Sequence, residues 1–362
     1  LERLNSSFHF ILKKTLQLLL APISFLYGLG VSIYQGFYLS GFFKTLKFSI
    51  PVISVGNLTV GGTGKSPHIE YLIRLLKDYI PVAVLSRGYR RKTSGHILLT
   101  QLHTALDVGD EPVQIKNKFP DVPFAVNSNR SIGIPKLLSQ HPEIKTILLD
   151  DAFQHLEVTP GLNILLTEYS NPYFKDYLLP SGRLREWRYG ARRADIIIVT
   201  KCPTQPNDLE ILNWRQNLKL EEKQKLFFSF LEYGTPYHIF NSDKIFKLNE
   251  GLDLMVISAI AQSSYMINYL SPKVASVTDY NFEDHHYFTE TELAHIFTQF
   301  NKVSHSNKML LTTEKDATRL RLHESFLKSQ NIDIYVLPLH VDFYKRDQFD
   351  QTIKNFLLEF KI

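Results

Sequence analysis

The sequence predicts an α/β protein built on a mostly parallel sheet with helices on both faces, followed by a smaller α/β domain. Three observations support this. Short apolar strands alternate with helical stretches from residue 48 onward, which is the pattern of parallel sheets covered on both faces. A glycine-rich loop follows the first of these strands, and a later strand ends in two aspartates. A long uncharged stretch precedes them all and predicts an N-terminal apolar helical segment.

The strands of the first α/β domain are short apolar runs bounded by turn residues, as buried strands are. The helix over 67–77 is predicted from apolar side chains that recur at helical spacing. The predicted strands are Ile50–Val55, Val82–Leu85, Thr146–Leu149, Ile164–Leu166 and Ile196–Val199.

The second domain shows the same alternation, so it is also predicted to be α/β. Residues 201–225 are polar and carry few strand signals, and we place the domain junction there. The predicted segments are therefore an apolar segment 1–47, a nucleotide-binding core 48–205 and a smaller C-terminal domain 206–362. Strands are expected near 226–230, 255–258, 274–277, 309–312 and 334–337, and helices near 290–300 and 349–360. Thr289 and Glu292 have the spacing of a capping box for the first of these helices.

Composition excludes several classes of protein. The single cysteine cannot form an internal disulfide, and 44% hydrophobic residues argue against intrinsic disorder. A mean hydropathy of −0.12 argues against a protein with many membrane spans. The net charge of +5 suits a phosphate-rich ligand or an anionic membrane surface but is too diffuse to indicate a nucleic-acid partner.

The uncharged stretch covers 29 residues, 15–43, with lysines at its edges. It is long enough to cross a bilayer, but Pro22, several glycines and two glutamines interrupt it. Its tyrosines favour the membrane interface. A helix or helix pair lying in that interface is one interpretation, and a buried helix packed on the protein core is the other.

The glycine-rich loop carries the first sign of chemistry. Gly61 to Ser66 read GGTGKS between a predicted strand and a predicted helix, which is the context of a P-loop. In such loops backbone N–H groups face phosphate oxygens, the lysine neutralises the outer phosphates and the hydroxyl binds Mg²⁺. Thr59 stands where the strict pattern has glycine, so a structural turn is the alternative. The predicted ATP-binding residues are Thr59, Val60, Gly61, Gly62, Thr63, Gly64, Lys65 and Ser66.

Asp150 and Asp151 supply a second part of a nucleotide site. They end an apolar strand, where an aspartate of a P-loop protein organises Mg²⁺. Ligands of parallel sheets collect at the carboxyl ends of the strands. The alternative is a solvated acidic loop.

A kinase also needs a base beside the acceptor hydroxyl. Asp110 and Glu111 lie in a predicted Gly-Asp-Glu-Pro turn inside the nucleotide-binding domain, and His285 and His286 lie next to acids in the second domain. Residue type alone leaves each pair open between a catalytic role and an ordinary surface loop.

Eight stretches together resemble the tetraacyldisaccharide 4'-kinase family, whose members phosphorylate an acylated glucosamine disaccharide on the way to lipid A. They run in order through most of the chain, and the joint occurrence of GNLTVGGTGKSP, SRGYRR, GDEP and DDAFQH is specific to this family. The stretches are SVGNLTVGGTGKSP (54–67), LSRGYRR (85–91), VGDEP (108–112), DDAFQH (150–155), PSGRLRE (180–186), ADIIIVTK (194–201), DHH (284–286) and TTEKDA (312–317).

The resemblance implies a role for each matching residue. Lys65 and Ser66 would hold the ATP phosphates and Mg²⁺, with serine replacing the family's usual threonine. Asp110 would be the catalytic base, paired with a histidine that we expect to be His285 rather than His286. The implied metal residues are Ser66, Asp150, Asp151 and Glu186. Five arginines could bind ATP or the disaccharide's 1-phosphate, with a solvated helix face as the alternative for all but Arg185: Arg183, Arg185, Arg188, Arg192 and Arg193. Arg87, Arg90 and Arg91 are similar candidates for binding substrate phosphate.

The resemblance also implies the reaction and its setting. ATP and Mg²⁺ are the expected cofactors, and the substrate is tetraacyl disaccharide 1-phosphate, phosphorylated on its 4'-hydroxyl to the precursor lipid IVA. The N-terminal segment would attach the enzyme, as a peripheral or monotopic protein, to the cytoplasmic face of the bacterial inner membrane. No nucleic acid and no obligate protein partner are expected. Because the loop and the histidine lie in different predicted domains, domain closure is expected to assemble the site.

Two other classes contain comparable features. Membrane-recruited partitioning ATPases also carry GGTGKS, but they need neither the GDEP nor the DHH motif. A membrane-bound nucleotide sensor without enzymatic activity is the third alternative. Transfer of phosphate to lipid separates the kinase from both.

Overall fold

The computed structural model describes residues 2–303 and 307–361, and their side chains from residue 14 onward. By its internal contacts the chain forms two compact units, each discontinuous in sequence. The first unit contains 1–85, 129–230 and 342–362, and the second contains 86–128 and 231–341.

This division differs from the continuous segments predicted above in two respects. Residues 86–128 belong with the C-terminal strands rather than with the phosphate loop. The expected junction at 201–225 instead contains a helix of the first unit, whose Ile211, Trp214 and Leu218 pack on that unit's core. Burial of these apolar side chains keeps residues 201–225 within the first unit. From this segment the chain passes to the second unit only after Phe230.

The first unit is centred on a parallel sheet, as predicted. Its spatial order is β8, β7, β6, β1, β5, β2, and each neighbouring pair is parallel. Strands β1, β2, β5, β6 and β7 are buried along their whole length, which explains their continuous apolar sequences. The strands are β1 Val52–Asn57, β2 Val82–Ser86, β5 Thr146–Asp150, β6 Leu162–Glu168, β7 Ile196–Thr200 and β8 Lys225–Tyr233, the last of which runs on into the second unit.

Helices of the first unit include one much longer than the rest. The helices are α1 Glu2–Leu39, α2 Lys65–Leu76, α5 Arg130–Gln140, α6 Asp208–Leu218 and α11 Arg346–Glu359, with short 3₁₀ turns at Tyr173–Lys175 and Arg188–Arg193. The sequence left open whether the N-terminal segment forms one helix or a helix pair, and the structure has a single helix. Residues Lys14–Leu39 have a mean hydropathy of 1.8 and only 11% of the most apolar stretch is buried. This helix is therefore long and apolar enough to cross a membrane, and it is not a buried core helix.

Helix α1 is attached by polar contacts along one face. The Ser24 hydroxyl donates to the Leu178 carbonyl (3.1 Å), and the Tyr27 hydroxyl donates to the Arg185 carbonyl (2.8 Å). The Trp187 indole donates to the Gly28 carbonyl (3.0 Å), and any side chain at Gly28 would collide with that ring. The other faces of the helix expose large apolar side chains, among them Leu18, Leu19, Phe25 and Leu26.

The second unit contains a six-stranded sheet of order β10, β9, β14, β13, β11, β12. Strands β12, β11, β13 and β14 are parallel, and β9 pairs antiparallel with both β14 and β10. The expected strand near 274–277 begins two residues later. The bounds are β9 Tyr237–His238, β10 Asn241–Ile245, β11 Asp253–Ser258, β12 Ser276–Asn281, β13 Lys308–Thr313 and β14 Ile334–Leu337, and β15 Leu339–Phe343 returns the chain to the first unit.

The segment 86–128 adds a short antiparallel pair and two helices to this unit. The predicted turn at the GDEP motif is wrong, because Asp110 is the first residue of a helix and Pro112 lies in its first turn, where proline is tolerated. The capping box of Thr289 and Glu292 is confirmed. The remaining elements are β3 Ile97–Leu98, β4 Phe124–Val126, α3 Ala105–Val108, α4 Asp110–Lys118, α7 Ser264–Leu270, α8 Glu290–Lys302, α9 Glu314–Leu320 and α10 Glu324–Ser329, with 3₁₀ turns at Ser271–Lys273 and Arg321–His323.

Candidate active site

The glycine-rich loop joins the buried strand β1 to helix α2, which begins at Lys65. Gly61 and Gly64 have φ angles of 107° and 89°, in the left-handed region that glycine adopts without strain. The turn leads directly into the start of α2. The first backbone N–H groups of a helix have no hydrogen-bond partners within it. The arrangement is suited to binding phosphate oxygens.

The start of the loop is held by residues 183–185. The Val60 N–H donates to the Arg183 carbonyl (2.7 Å), and the Arg185 N–H donates to the Leu58 carbonyl (2.7 Å). The Asn57 amide donates to the Thr63 hydroxyl (2.9 Å) across the loop. The N–H of Val60 therefore already has a protein partner, and the groups facing a phosphate come from the later part of the loop.

The Lys65 ammonium group lies close to two side-chain oxygens of neighbouring residues. Its Nζ is 3.6 Å from an Asp151 oxygen and 3.4 Å from the Asn57 amide oxygen. The Arg185 guanidinium contacts Asp151 at 2.9 Å and also contacts Asn57. Burial alone would raise the pKa of the Asp151 carboxyl, but the positive charges of Lys65 and Arg185 outweigh it and lower the pKa. One ionised carboxylate thus faces two cations, which leaves positive charge for phosphate.

Asp150 and Ser66 reach the same edge of the sheet. Asp150 ends β5 and is paired in register with Val55, two residues before the end of β1. Both Asp150 and Ser66 are buried, and the Asp150 carbonyl accepts a hydrogen bond from Arg130 (2.9 Å). A hydroxyl and carboxylate oxygens are the hard donors that Mg²⁺ prefers. In chemistry and position these residues fit a magnesium site, although among the described residues no group of three or more Asp, Glu, His or Cys side chains is placed to hold a metal ion.

The surroundings of Glu186 do not fit the metal role predicted for it. Both carboxylate oxygens accept from Arg193 at 2.8 Å. One of them also accepts from Gln154 (2.9 Å) and the other from Gln35 of α1 (2.6 Å). The Glu186 side chain, only 1% exposed, therefore links helix α1 to the loop that follows Asp151 rather than presenting an oxygen to a metal.

His68, in the first turn of α2, is a supporting residue that the sequence did not reveal. Its Nδ1 contacts the Gly64 carbonyl at 2.6 Å, so this nitrogen carries the proton, and its Nε2 then accepts from the Ser229 hydroxyl at 3.0 Å. Burial lowers the pKa of His68 to about 4. A neutral imidazole therefore fixes the last glycine of the loop.

Acidification is expected to weaken the fold through His68. Because the unfolded chain takes up a proton near pH 6.5 and the folded chain only near 4, stability is fully present above pH 6.5 and falls as the pH drops toward 4. Between pH 7.5 and 5.0 this group alone should remove about 2 kcal/mol from the free energy of unfolding. Urea titrations of the wild type and His68→Gln at both pH values test this. An equal pH dependence of the two proteins would contradict it.

The second group of candidate residues lies in the second unit. Asp110 begins α4 after Gly109, whose φ of 97° turns the chain sharply. The Asp110 side chain is buried, and its Oδ2 is 2.9 Å from His285 Nδ1. The expected pairing of His285 with Asp110 is thereby confirmed. His286 instead contacts Glu292 at 3.1 Å.

Two cations of helix α9 complete the surroundings of Asp110. Arg319 Nη1 lies 2.6 Å from Asp110 Oδ2, and Lys315 Nζ lies 3.2 Å from His285 Nε2. Burial would raise the pKa of the Asp110 carboxyl, but the His285 hydrogen bond and the charges of Lys315 and Arg319 lower it to about 2. Asp110 is therefore ionised throughout the neutral range. Neither Lys315 nor Arg319 was singled out from the sequence, although both belong to or follow the TTEKDA motif.

The candidate arginines are distributed over both units. Arg185 reaches the phosphate-loop residues described above. Arg87 and Arg90 are exposed in the second unit, where Arg90 donates to the Asp284 carbonyl (3.2 Å). The remaining arginines pair elsewhere: Arg91 with the Gly95 carbonyl, Arg183 and Arg188 with Asp176, Arg192 with Glu221 and Arg193 with Glu186.

Cys202, the single cysteine of the chain, is a packed core residue. It is 4% exposed in the core of the first unit, and burial raises the pKa of its thiol to about 12. A thiol with such a pKa stays protonated and is not a nucleophile at neutral pH.

Comparison with known proteins agrees with this arrangement. A family model described as Tetraacyldisaccharide-1-P 4'-kinase matches residues 16–358. A tetraacyldisaccharide 4'-kinase of Bacteroides thetaiotaomicron is 42% identical over 355 residues, which cover 94% of this chain and 93% of that protein. One of Parabacteroides distasonis is 44% identical, covering 92% and 93%.

A solved structure has the same fold. LpxK from Aquifex aeolicus, crystallised in complex with ATP, superposes with a TM-score of 0.71 at 27% identity. The match covers 94% of this chain and 99% of that one. The similarity therefore extends over both units.

Proposed function

Since this chain belongs to the tetraacyldisaccharide-1-phosphate 4'-kinase family and is a kinase that phosphorylates the lipid A precursor at its 4' position, we propose a role for each residue of the candidate site. The observation that supports the proposal most is that a chain of this family carries a P-loop beside an ion-paired Asp151 in its first unit and a buried Asp110–His285 pair in its second.

The phosphate loop holds the donor. ATP is the phosphoryl donor, and the LpxK neighbour was crystallised with it. Its outer phosphates lie on the N–H groups at the start of α2, and Lys65 and Arg185 turn from Asp151 toward them. Both cations already lie within 3.6 Å of the Asp151 carboxylate, so they need only change partners. Their charges oppose the negative charge that develops on the transferred group.

Ser66 and Asp150 are the residues that would hold Mg²⁺, with Asp151 beside them. The ion would supply neutralisation of the phosphate oxygens. Glu186 is left out of this set because Arg193 and two glutamines already occupy its oxygens.

Asp110 receives the proton of the 4'-hydroxyl. The hydroxyl oxygen forms a bond to the γ-phosphorus, the bond from that phosphorus to the β–γ bridging oxygen breaks, and the proton passes to the carboxylate. A carboxylate with a pKa near 2 is a weak base. It therefore orients the hydroxyl first and takes the proton late, once the new bond has made that oxygen acidic. Because the loop belongs to the first unit and Asp110 to the second, the mechanism uses both units, and domain closure stays a prediction.

Helix α1 brings the enzyme to its lipid. Its exposed apolar side chains include Leu18, Leu19 and Leu26, each more than 60% exposed. A helix that only packed against the protein core would bury such side chains. Attachment to the cytoplasmic face of the inner membrane would place the enzyme where an acylated substrate resides and ATP is available. Arg87, Arg90 and Arg185 remain candidates for contact with the substrate's phosphate.

One assay tests this function against its alternatives. Purified protein is mixed with γ-labelled ATP, Mg²⁺ and tetraacyl disaccharide 1-phosphate in detergent micelles. Label should move to the lipid. Release of free phosphate without labelled lipid would indicate a partitioning-type ATPase, and binding without turnover would indicate a sensor. Omitting Mg²⁺ or adding a chelator should abolish transfer, and undiminished transfer would contradict the metal assignment.

A further inference from the structure

The TTEKDA motif contributes a helix whose function the mechanism above leaves open. Helix α9 begins at Glu314, within the motif, and carries Lys315 and Arg319 four residues apart. Side chains at this spacing lie on the same face of a helix. Both of them reach the Asp110–His285 pair.

Arg319 is fully buried, and two of its nitrogens make polar contacts. Nη1 donates to Asp110 Oδ2 (2.6 Å), while Nη2 donates to the Ala259 carbonyl (3.0 Å) and contacts Asp316. Nε is buried and has no hydrogen-bond partner among the described residues. Burying a guanidinium is costly unless it is paired and hydrogen-bonded. The two ion-paired nitrogens of this planar fork meet that condition, and they fix the direction of both carboxylates.

The two oxygens of Asp110 are therefore not equivalent. Oδ2 receives both the Arg319 and the His285 hydrogen bonds. Among the described residues, Oδ1 accepts one hydrogen bond, from the backbone N–H of Glu111 at 3.0 Å. An ionised carboxylate oxygen has more than one acceptor site, so Oδ1 retains capacity for the hydrogen of an acceptor hydroxyl.

Lys315 sets the tautomer of a neutral His285. An ammonium group can only donate, so in the neutral ring the 3.2 Å contact with Lys315 makes Nε2 the acceptor, and Nε2 also lies 3.7 Å from Asp284 Oδ2. His285 Nδ1 then carries the proton and donates it to Asp110 Oδ2. Lys315 also contacts Asp284 (3.1 Å) and Glu111 (3.7 Å), which hold its position.

We propose that Arg319 is a positioning residue for phosphoryl transfer: by occupying Asp110 Oδ2 it aims Oδ1 at the acceptor hydroxyl. The inference rests on the proposed role of Asp110 as the base. Arg319 acts only through Asp110 and is not itself a catalytic residue. Its removal should slow the chemical step without weakening the binding of ATP.

The first measurement is the steady-state kinetics of Arg319→Gln in the micelle assay. We expect kcat to fall by roughly 10- to 100-fold, since a displacement of about 1 Å in a catalytic group costs up to that much. KM for ATP should stay within about twofold. A kcat within threefold of the wild type overturns the inference. If Arg319→Gln does not fold, Arg319→Lys replaces it under the same criteria, because lysine keeps the charge but not the fork.

A matched control separates positioning from stability. Lys118 of α4 and Glu314 of α9 form a partly buried ion pair (2.6 Å) between the same two helices, in which Asp110 takes no part. Lys118→Gln should lower the thermal midpoint, though less than Arg319→Gln, and retain kcat within threefold. An equal loss of kcat in both variants would mean that Arg319 serves the fold alone, and would overturn the inference.

The double variant Asp110→Asn with Arg319→Gln supplies the decisive comparison. If Arg319 acts through Asp110, the double variant should be no slower than Asp110→Asn alone, since residues that act as a unit are not additive. Full multiplication of the two losses would overturn the inference. The proposed base fails separately: if Asp110→Asn alone keeps wild-type turnover, Asp110 is not the base, whatever Arg319 does.

Discussion

Lys65→Met is expected to lower kcat/KM for lipid phosphorylation by roughly 10²- to 10³-fold, the cost of losing one charge-stabilising donor at a transition state. The Lys65 ammonium is the cation at the start of α2 and lies 3.6 Å from Asp151. Methionine keeps much of the aliphatic part of the lysine side chain and removes the charged ammonium group. Initial rates at varied ATP concentration measure the effect.

The fold should tolerate this change. Asp151 would keep its contact with Arg185 at 2.9 Å, so the carboxylate is not left buried without a cation. The thermal midpoint of Lys65→Met should therefore stay close to that of the wild type. Lys77→Met, at the other end of the same helix, is the control, because Lys77 is exposed and pairs only at 4.0 Å with Asp78. Turnover of Lys65→Met within fivefold of that control would refute the assignment of Lys65.

Asp110→Asn should lower kcat by roughly 10²- to 10⁴-fold, the usual contribution of a positioned general base. The amide is nearly the same size as the carboxylate but cannot take up a proton in this role. Binding of ATP should be unchanged, since the phosphate loop lies in the other unit. Equilibrium binding of ATP and single-turnover transfer of label to lipid separate the two effects.

Glu111→Gln is the control for this second substitution. Glu111 is the neighbouring acid in the same motif, but its side chain faces Lys315 at 3.7 Å and makes no contact with His285 among the described contacts. It should keep turnover within a few-fold of the wild type. A loss as large as that of Asp110→Asn would shift the base assignment from Asp110 to the pair of acids. Asp110→Asn should also unfold more readily, because a buried charge of Arg319 loses part of its compensation.

The phosphate-loop candidates in the first unit were predictable from sequence because their signals are local. Buried parallel strands are continuous apolar runs, and the loop and the two aspartates follow directly from the ends of such strands. The register of β1 against β5 then brings them to one edge without further information.

The candidates around Asp110 in the second unit were only partly predictable, since they are brought together by contacts far apart in the chain. Arg319 is 209 residues from Asp110 in sequence, and no spacing rule links them. The start of α4 at Asp110 was also hidden, because Pro112 in its first turn resembles a turn signal. The sequence also did not show that residues 86–128 leave the first unit and join the second, because the contacts that hold them there join parts of the chain that are far apart in sequence.

Glu186 shows a different limit of sequence analysis. A buried acid near a nucleotide motif has the right chemistry for a metal ligand, and only its partners reveal another role. Arg193, Gln154 and Gln35 lie 7, 32 and 151 residues away from it, so the complete set of contacts is visible only in the folded chain.

Residue Arg185 has a practical consequence for anyone who shortens this enzyme to make it water-soluble. Its carbonyl accepts from Tyr27 of α1 while its guanidinium contacts Asp151 and Asn57. Deleting α1 would also strip the cover from Trp187 and remove Gln35 from Glu186. Such a deletion would therefore disturb the residues around the phosphate loop along with the proposed membrane attachment. Polar substitutions on the exposed face of α1 leave those contacts in place and are the cleaner test of what the proposed attachment contributes.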